Sequence, residues 1–97
     1  MAHVYILECA DGSYYVGSTT SLDLRLAQHQ AGDGAAYTRR RRPVRLVYAA
    51  TFDRVDEAYA FEKQVQGWSR AKRRALIDGR LGDLVELSRS RSHRSAD

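Results

Sequence analysis

The sequence predicts a small α+β domain in which a three-stranded antiparallel sheet is flanked by helices. Residues 3–19 consist of two β-branched and aromatic runs on either side of an Asp-Gly turn. Residues 44–52 form a further β-rich run, and three other segments have helical spacing of apolar residues. With 97 residues, of which 43% are hydrophobic, the chain can build one modest core.

Residues 3–19 are predicted to form a β-hairpin, for which two registers are open. A two-residue loop would place Tyr5 and Tyr15 on opposite faces. A three-residue loop, with Gly12 in the left-handed region, would pair Tyr5 with Gly17. Tyr15 would then pair with Leu7, and both phenols would share one face. We predict the three-residue loop, and we expect Gly17 to mark a close approach to the strand backbone.

A first helix is predicted over about residues 21–30, after the hydroxyl-bearing residues 19–21, which can cap it. Leu22 and Leu26 form its apolar stripe. Arg25 and His29, four residues apart, lie on or beside the same stripe. Chargeable groups therefore occupy positions where a core helix has Leu or Ala. The alternative is that Arg25 and His29 each lie at the boundary of the core and extend their polar ends into water.

A loop and a third strand follow the first helix. Residues 32–36 close the helix, and a run of arginines then precedes Pro43. Such a run is predicted to be solvated or to lie against phosphate, because a small fold cannot pair so many cations. Residues 44–52 are predicted to be the third strand. The first strand is apolar on both faces and is predicted to lie in the middle of the sheet.

A second helix is predicted over about residues 53–67, with Asp53 as its N-cap. Glu62 lies on the predicted inward stripe of this helix, whose apolar members are Val55, Ala58, Tyr59, Val65 and Trp68. A carboxylate on a buried stripe needs a hydrogen-bonding partner, an ion pair or a metal ion. An ion pair between Glu62 and Arg25 in a structural network is the alternative to a metal site.

A third helix is predicted over residues 70–78, capped by Ser69 and stopped by Gly79. Its exposed basic face, with Lys72 and Arg73, is a possible phosphate contact, although a solvated surface is the alternative. Residues 82–87 are predicted to add a short helical turn. Residues 88–97, which are rich in Ser and Arg, are predicted to be a disordered basic tail.

Charge and composition narrow the classes of function. The chain has 16 Lys and Arg against 12 Asp and Glu, an excess that suits a polyanion such as nucleic acid. It has no apolar run that could span a membrane and no signal-peptide pattern, so a cytoplasmic protein with no membrane partner is expected. The single cysteine, Cys9, excludes an internal disulfide and a cysteine-rich zinc site.

These residues together resemble the GIY-YIG nuclease superfamily, and its small single-domain bacterial members in particular. Residues 3–5 read His-Val-Tyr where the family has Gly-Ile-Tyr, and residues 15–17 read Tyr-Val-Gly where it has Tyr-Ile-Gly. Arg25, His29 and Glu62 match the family's helix arginine, the aromatic or histidine four residues later, and the metal-binding glutamate. Residues 34–39 and 42–44 resemble the small bacterial subgroup. The likeness covers residues 2–77 and implies a domain of this family over residues 1–87.

The resemblance implies a metal-dependent endonuclease that hydrolyses phosphodiester bonds in DNA with low sequence specificity. It implies Mg²⁺ or Mn²⁺ on Glu62, Tyr15 as general base with Tyr5 beside it, and Arg25 on the scissile phosphate. His29 shares the proton transfer or binds phosphate. The predicted catalytic residues are therefore Tyr5, Tyr15, Arg25, His29 and Glu62, and the predicted nucleic-acid-binding residues are Arg39, Arg40, Arg41, Arg42, Lys72 and Arg73.

Two departures from the family pattern accompany the likeness. His3 replaces the first motif glycine, and the chain contains no asparagine, although many members carry one near the end of the domain. The missing asparagine favours one alternative, a nucleic-acid-binding module of the same fold without turnover. A second alternative is an interaction domain whose basic loop binds an acidic protein.

Overall fold

The computed structural model describes residues 1–80, which contain three strands and four helices. A first compact unit spans Met1–Gln66, and a second begins at Gly67. The predicted helical turn at residues 82–87 and the predicted tail at residues 88–97 lie outside the described residues. The elements in chain order are β1 (Ala2–Glu8), β2 (Tyr14–Thr19), α1 (Leu22–Ala31), α2 (Ala36–Arg39), β3 (Arg45–Phe52), α3 (Val55–Gln66) and α4 (Arg70–Ile77).

β1 and β2 form the predicted hairpin in the predicted register. The loop consists of residues 10–12, and Gly12 has a φ of 84°. Tyr5 pairs with Gly17. Tyr15 pairs with Leu7, so the two phenols share one face of the sheet. The three-residue loop is therefore confirmed.

The sheet has the strand order β2-β1-β3, and both pairings are antiparallel. β1 is central, as its apolar character on both faces predicts: Val4 and Ile6 are buried on one face, and Tyr5 and Leu7 on the other. The β1–β3 ladder shifts register between Ile6 and Leu7. The third strand begins at Arg45, one residue later than predicted.

α1 covers the sheet face that carries Tyr5. Its predicted stripe is confirmed, because Leu22 and Leu26 pack against the buried cluster there. The predicted side-chain cap is wrong: Ser21 precedes the helix but makes no side-chain capping bond. The Ser21 backbone N–H donates instead to Oγ1 of Thr19, at 3.0 Å. The buried cluster consists of Tyr5, Leu7, Cys9 and Val44.

α3 packs on all three strands, on the face where Val4 points by alternation. Its buried stripe is centred on Ala58 and Val65. The prediction that Val55 and Tyr59 point inward is wrong, since they are 63% and 56% exposed. Tyr59 lies about 100° around the helix from Ala58, which carries it past the edge of the stripe. Glu62 is half-buried at that edge.

Two further expectations about helix ends and loops are corrected. The helix begins at Val55, and the residue that precedes it is Arg54, whose guanidinium pairs with Asp56. Asp53 is therefore not its N-cap. The segment predicted to be a loop between the first helix and the third strand contains the short helix α2, in which Thr38 is buried.

α4 has the predicted ends. Ser69 Oγ accepts the Lys72 backbone N–H at 3.2 Å, and Gly79 follows the helix with a φ of 73°. The predicted exposure of Lys72 is wrong. Its side chain is only 9% exposed, and its ammonium lies 4.4 Å from the centre of the Trp68 ring. Among residues 1–80, none of the helices combines the length and the apolar character that crossing a membrane requires.

Candidate active site

Three predicted catalytic rings, from β1, β2 and α1, meet on one face of the sheet. The ring centres of Tyr5 and Tyr15 are 6.4 Å apart. The His29 ring lies 5.7 Å from Tyr5 and 5.2 Å from Tyr15. The hairpin register and the helical position of His29, both predicted from the sequence, therefore build one aromatic cluster.

Gly17 makes room for this cluster. A Cβ atom at this position would lie 2.5 Å from the Tyr5 hydroxyl oxygen and 2.7 Å from Cζ of the same ring. No side chain could occupy that space unless the Tyr5 ring moved. The glycine within β2 thus marks a close approach, as predicted, and what approaches it is the phenol of Tyr5.

His29 is fully buried, and both of its ring nitrogens have partners. Nε2 lies 2.9 Å from the Tyr5 hydroxyl, and Nδ1 lies 2.8 Å from the Thr38 hydroxyl. Burial lowers the pKa of His29, and the charge of Arg25 lowers it further. The imidazole is therefore neutral near pH 7, and one of its nitrogens is available to accept a proton.

Both phenols are harder to ionise than a free tyrosine. Burial raises the pKa of Tyr5, and Tyr15 and Glu62 also raise it, whereas Arg25 lowers it. Burial and then Glu62 raise the pKa of Tyr15, whereas Arg25 and Lys63 lower it. The charge of Arg25 thus lowers the pKa of both phenols, but burial, which raises it, has the larger effect. Both phenols carry their protons in the free protein.

Arg25 brings an unpaired cation to this cluster. Its side chain is half-buried, and within residues 1–80 no hydrogen bond or ion pair holds its guanidinium. It lies near enough to Tyr5, Tyr15 and His29 to shift the pKa of each. A partly buried guanidinium with free donors suits a phosphate group.

Glu62 is held by neutral donors. Ser18 Oγ donates to its Oε1 at 2.5 Å, and Gln66 Nε2 donates to its Oε2 at 2.7 Å. The same Gln66 amide donates to the Val16 carbonyl, at 3.2 Å. The ion pair with Arg25 that the sequence left open is not formed in the described part of the chain. No ion pair within residues 1–80 therefore neutralises this carboxylate.

A divalent ion fits Glu62. Within residues 1–80 no group of three or more His, Cys, Asp and Glu side chains could form a protein cage for a metal. A single carboxylate suits Mg²⁺ or Mn²⁺, which retain water ligands and take further oxygen ligands from a substrate phosphate. The neutral donors Ser18 and Gln66 leave the negative charge of the carboxylate available to such an ion.

Three of the four consecutive arginines bind their own loop. Arg39 Nε donates to the Gly32 carbonyl at 3.2 Å. Arg42 donates to the carbonyls of Arg39 and Gln30, at 3.0 and 3.1 Å. As predicted, the run is not fully paired, because Arg40 has no side-chain partner within residues 1–80. Backbone carbonyls and one carboxylate accept the guanidinium groups of the other three.

Arg41 connects the hairpin loop to the aromatic cluster. Its Nε pairs with Asp11 Oδ2 at 3.1 Å, and its guanidinium lies 3.9 Å from the centre of the Tyr37 ring. Tyr37 in turn stacks on Tyr15. Arg40 is exposed and, within residues 1–80, its side chain has no hydrogen bond or ion pair. Among residues 1–80, Arg40 is therefore the one arginine of the four whose guanidinium has no protein partner.

Comparison with known proteins identifies the family. The model of the GIY-YIG catalytic domain matches residues 1–75. The chain belongs to the GIY-YIG family. The resemblance to this nuclease superfamily is thus confirmed, and so is the small α+β fold with its antiparallel sheet.

Relatives of this GIY-YIG chain include uncharacterised proteins named UPF0213. One from Halobacterium salinarum is 50% identical over 77 residues, which are 79% of this chain and all of the relative. One from Natronomonas pharaonis is 44% identical over 80 residues, 82% of this chain and 94% of the relative. A solution NMR structure of a UPF0213 protein from Bacillus halodurans has a TM-score of 0.54 and 47% identity, and it covers 80% of this chain and 84% of that chain.

Sequence reasoning missed three residues of the site. Thr38 and Gly34 contact the His29 ring, and Gln66 holds the carboxylate of Glu62. A signal existed for Gln66, which lies four residues after Glu62 and hence on the same side of one helix. Thr38 and Gly34 lie within the stretch that resembles the bacterial subgroup, but nothing in that stretch points to a histidine as their partner.

Proposed function

We propose that this chain is a metal-dependent endonuclease that hydrolyses phosphodiester bonds in DNA with low sequence specificity. One observation carries the proposal. The charges of Arg25 and Glu62 both shift the pKa of the two catalytic phenols, Tyr5 and Tyr15. Within the described residues these two charges nevertheless form no ion pair with each other. Hydrolysis of a phosphodiester needs a group that binds the anionic phosphate and a carboxylate that holds a metal ion. The site offers both charges beside proton-carrying groups.

Glu62 would hold Mg²⁺ or Mn²⁺, and Ser18 and Gln66 orient its two oxygens. When bound, the ion supplies charge neutralisation and acidifies water. Arg25 binds the non-bridging oxygens of the phosphate and stabilises the charge that they gain in the transition state.

We propose that Tyr5, rather than Tyr15, is the general base. Tyr5 takes a proton from the attacking water as its own proton passes to Nε2 of His29, 2.9 Å away. The water oxygen forms a bond to phosphorus, the bond to the leaving oxygen breaks, and solvent protonates that oxygen. The resemblance implies Tyr15 instead, but within residues 1–80 the Tyr15 hydroxyl has no hydrogen-bonded acceptor for its proton.

Low specificity follows from the cations that are available. Two arginines have side chains that no described residue binds. Arg25 lies at the site, and Arg40 lies in the basic loop of residues 39–42. Guanidinium groups that contact phosphates fix position on a nucleic acid without reading its bases. We therefore propose that the shape of the DNA, rather than its sequence, selects the substrate.

The test is cleavage of labelled single-stranded, duplex and branched DNA with and without Mg²⁺ or Mn²⁺. Wild type is compared with Glu62→Ala and with Glu57→Ala, which removes an exposed carboxylate from the same helix. We expect metal-dependent cutting that Glu62→Ala abolishes and Glu57→Ala retains. If wild type binds these substrates without cutting any of them, the binding-module alternative replaces the proposed nuclease.

A further inference from the structure

Thr38 is a buried hydroxyl that the proposed reaction does not use. Its side chain is 0% exposed, although threonine is usually found near the surface. It has two polar neighbours: the Thr38 oxygen lies 2.8 Å from Nδ1 of His29 and 3.0 Å from the Ala35 carbonyl oxygen. One of these partners can only accept a hydrogen bond, whereas the other can donate or accept. The buried hydroxyl therefore determines which atom is the donor in each hydrogen bond.

That direction follows from counting protons. A carbonyl oxygen only accepts, so the single proton of the Thr38 hydroxyl goes to Ala35. The Thr38 oxygen is then the acceptor towards His29, and Nδ1 of His29 carries a proton. In a neutral imidazole the other nitrogen, Nε2, is bare and accepts the Tyr5 hydroxyl at 2.9 Å.

The opposite arrangement leaves a buried proton without a partner. If Thr38 donated to Nδ1, the proton of His29 would lie on Nε2 and would point at the Tyr5 oxygen. The Tyr5 proton would then have no acceptor, because His29 is the only described residue that hydrogen-bonds this hydroxyl. Because Tyr5 is only 2% exposed, leaving its proton without a partner among residues 1–80 would cost free energy.

The Gly34 backbone limits how far the His29 ring can rotate away from its hydrogen bond with Thr38. A Cβ atom at Gly34 would collide with Nδ1 of His29, and its next neighbours would be Cε1 and Cγ of the same ring, both at 2.8 Å. The Gly34 backbone therefore lies directly against the imidazole. Gly34 and Thr38, which both come from the stretch that resembles the bacterial subgroup, enclose the Nδ1 side of His29.

We propose that Thr38 is a positioning residue that holds His29 as the Nδ1–H tautomer, with Nε2 directed at the proton of Tyr5. The tautomer is assigned from the hydrogen bonds of His29 and Thr38 and does not depend on the proposed function. Its consequence for cleavage rests on the proposed function, because an Nε2 that already carried a proton could not take the proton that Tyr5 must lose. Thr38 touches neither the phosphate nor the water and acts through His29.

The first measurement is the tautomer of His29, read from two-bond ¹H–¹⁵N correlation spectra of histidine-labelled protein. We expect a protonated Nδ1 and a bare Nε2 in wild type and in Thr38→Ser, which keeps the hydroxyl. In Thr38→Val, which keeps the shape but not the hydroxyl, we expect the population to move towards Nε2–H. The matched control is Thr51→Val, because Thr51 Oγ1 lies 3.1 Å from Nδ1 of His3, away from His29.

The second measurement is the single-turnover cleavage rate. Thr38→Val should lower the rate roughly ten- to a hundredfold, the usual effect of losing a group that orients a functional histidine, with DNA affinity unchanged. Thr38→Ser should restore most of it. A wild-type His29 in the Nε2–H form, or a Thr38→Val spectrum identical to wild type, overturns the proposal. If the tautomer shifts as expected but wild type cleaves nothing, the proposed nuclease fails while the positioning of His29 by Thr38 stands.

Discussion

Tyr37 stacks on Tyr15, with ring centres 6.0 Å apart and ring planes inclined by 30°. Arg41 covers the Tyr37 ring and pairs with Asp11 in the hairpin loop. The stack therefore ties the short helix α2 to the hairpin at the ring that lies beside His29. Through this contact the arginine-rich loop of residues 39–42 reaches the site, by way of the partly exposed Arg41.

Tyr37→Leu should destabilise the fold by about 0.5–1.5 kcal/mol, the contribution of an aromatic pair beyond the area that it buries. It should also lower the cleavage rate, because the Tyr15 ring loses its support. Urea unfolding and single-turnover assays measure the two effects. Tyr59→Leu, at an exposed tyrosine of α3, is the control and should change neither. Equal effects of the two substitutions would contradict a supporting role for Tyr37.

Tyr5→Phe and Tyr15→Phe separate the two candidate general bases. Tyr5→Phe leaves the buried Nε2 of His29 without its donor, so we expect a loss of about 1–3 kcal/mol in unfolding free energy. We also expect cleavage to fall by about 100-fold or more. Tyr15→Phe breaks no hydrogen bond among residues 1–80 and should cost less than about 0.5 kcal/mol. If only Tyr15→Phe abolishes cleavage, the general base is Tyr15.

Gln66→Leu should weaken metal binding without removing the metal ligand. The Gln66 amide holds Oε2 of Glu62 and ties it to the Val16 carbonyl, so its loss frees the carboxylate to rotate. We expect Mn²⁺ affinity, measured by electron paramagnetic resonance, to fall by roughly tenfold. Gln64→Leu, on the exposed side of the same helix, should bind Mn²⁺ like wild type. An unchanged affinity in Gln66→Leu would remove Gln66 from the metal site.

His29 should make the fold less stable in mild acid. Its pKa in the folded state lies below the ordinary value of 6.5, because of burial and Arg25. Above that value both states hold a neutral ring, and His29 adds no pH dependence. As pH falls below it, the unfolded chain takes up a proton that the fold refuses, so stability falls by at most about 1.4 kcal/mol per pH unit.

The measurement is the unfolding free energy in urea between about pH 5 and pH 8. In His29→Gln the decline between the ordinary pKa and the folded pKa should disappear, while the contributions of other groups remain. A decline of the same steepness in wild type and His29→Gln would show that another group causes it.

Arg40→Ala should weaken DNA binding, whereas Arg42→Ala should act on stability. Arg40 has no partner among the described side chains and carbonyls, so its guanidinium is free to contact a phosphate. Losing one phosphate contact should reduce the slope of log affinity against log salt by about one. Arg42 holds the Gln30 and Arg39 carbonyls, and its loss should lower unfolding free energy instead. An unchanged salt slope in Arg40→Ala would exclude Arg40 from the interface.

Much of the site could be predicted because it depends on local geometry. The loop of residues 10–12 and strict alternation place Tyr5 and Tyr15 on one face, whatever packs against them. A spacing of four residues likewise places Arg25 and His29 on one side of α1. These relations hold within one hairpin or one helix, where backbone periodicity decides direction.

Contacts between distant segments could not be predicted in the same way. The bond between Thr38 and His29, the carbonyls that accept Arg39 and Arg42, and the outward direction of Tyr59 depend on how whole elements sit against one another. Periodicity states which face of an element is apolar, but not which atoms of another segment will meet it. The sequence by itself determined the three-stranded sheet, the register of its hairpin and the side of α1 that carries Arg25 and His29. Only the tertiary structure decided which buried groups share protons, because hydrogen bonds require atoms within about 3 Å of each other and packing sets that distance.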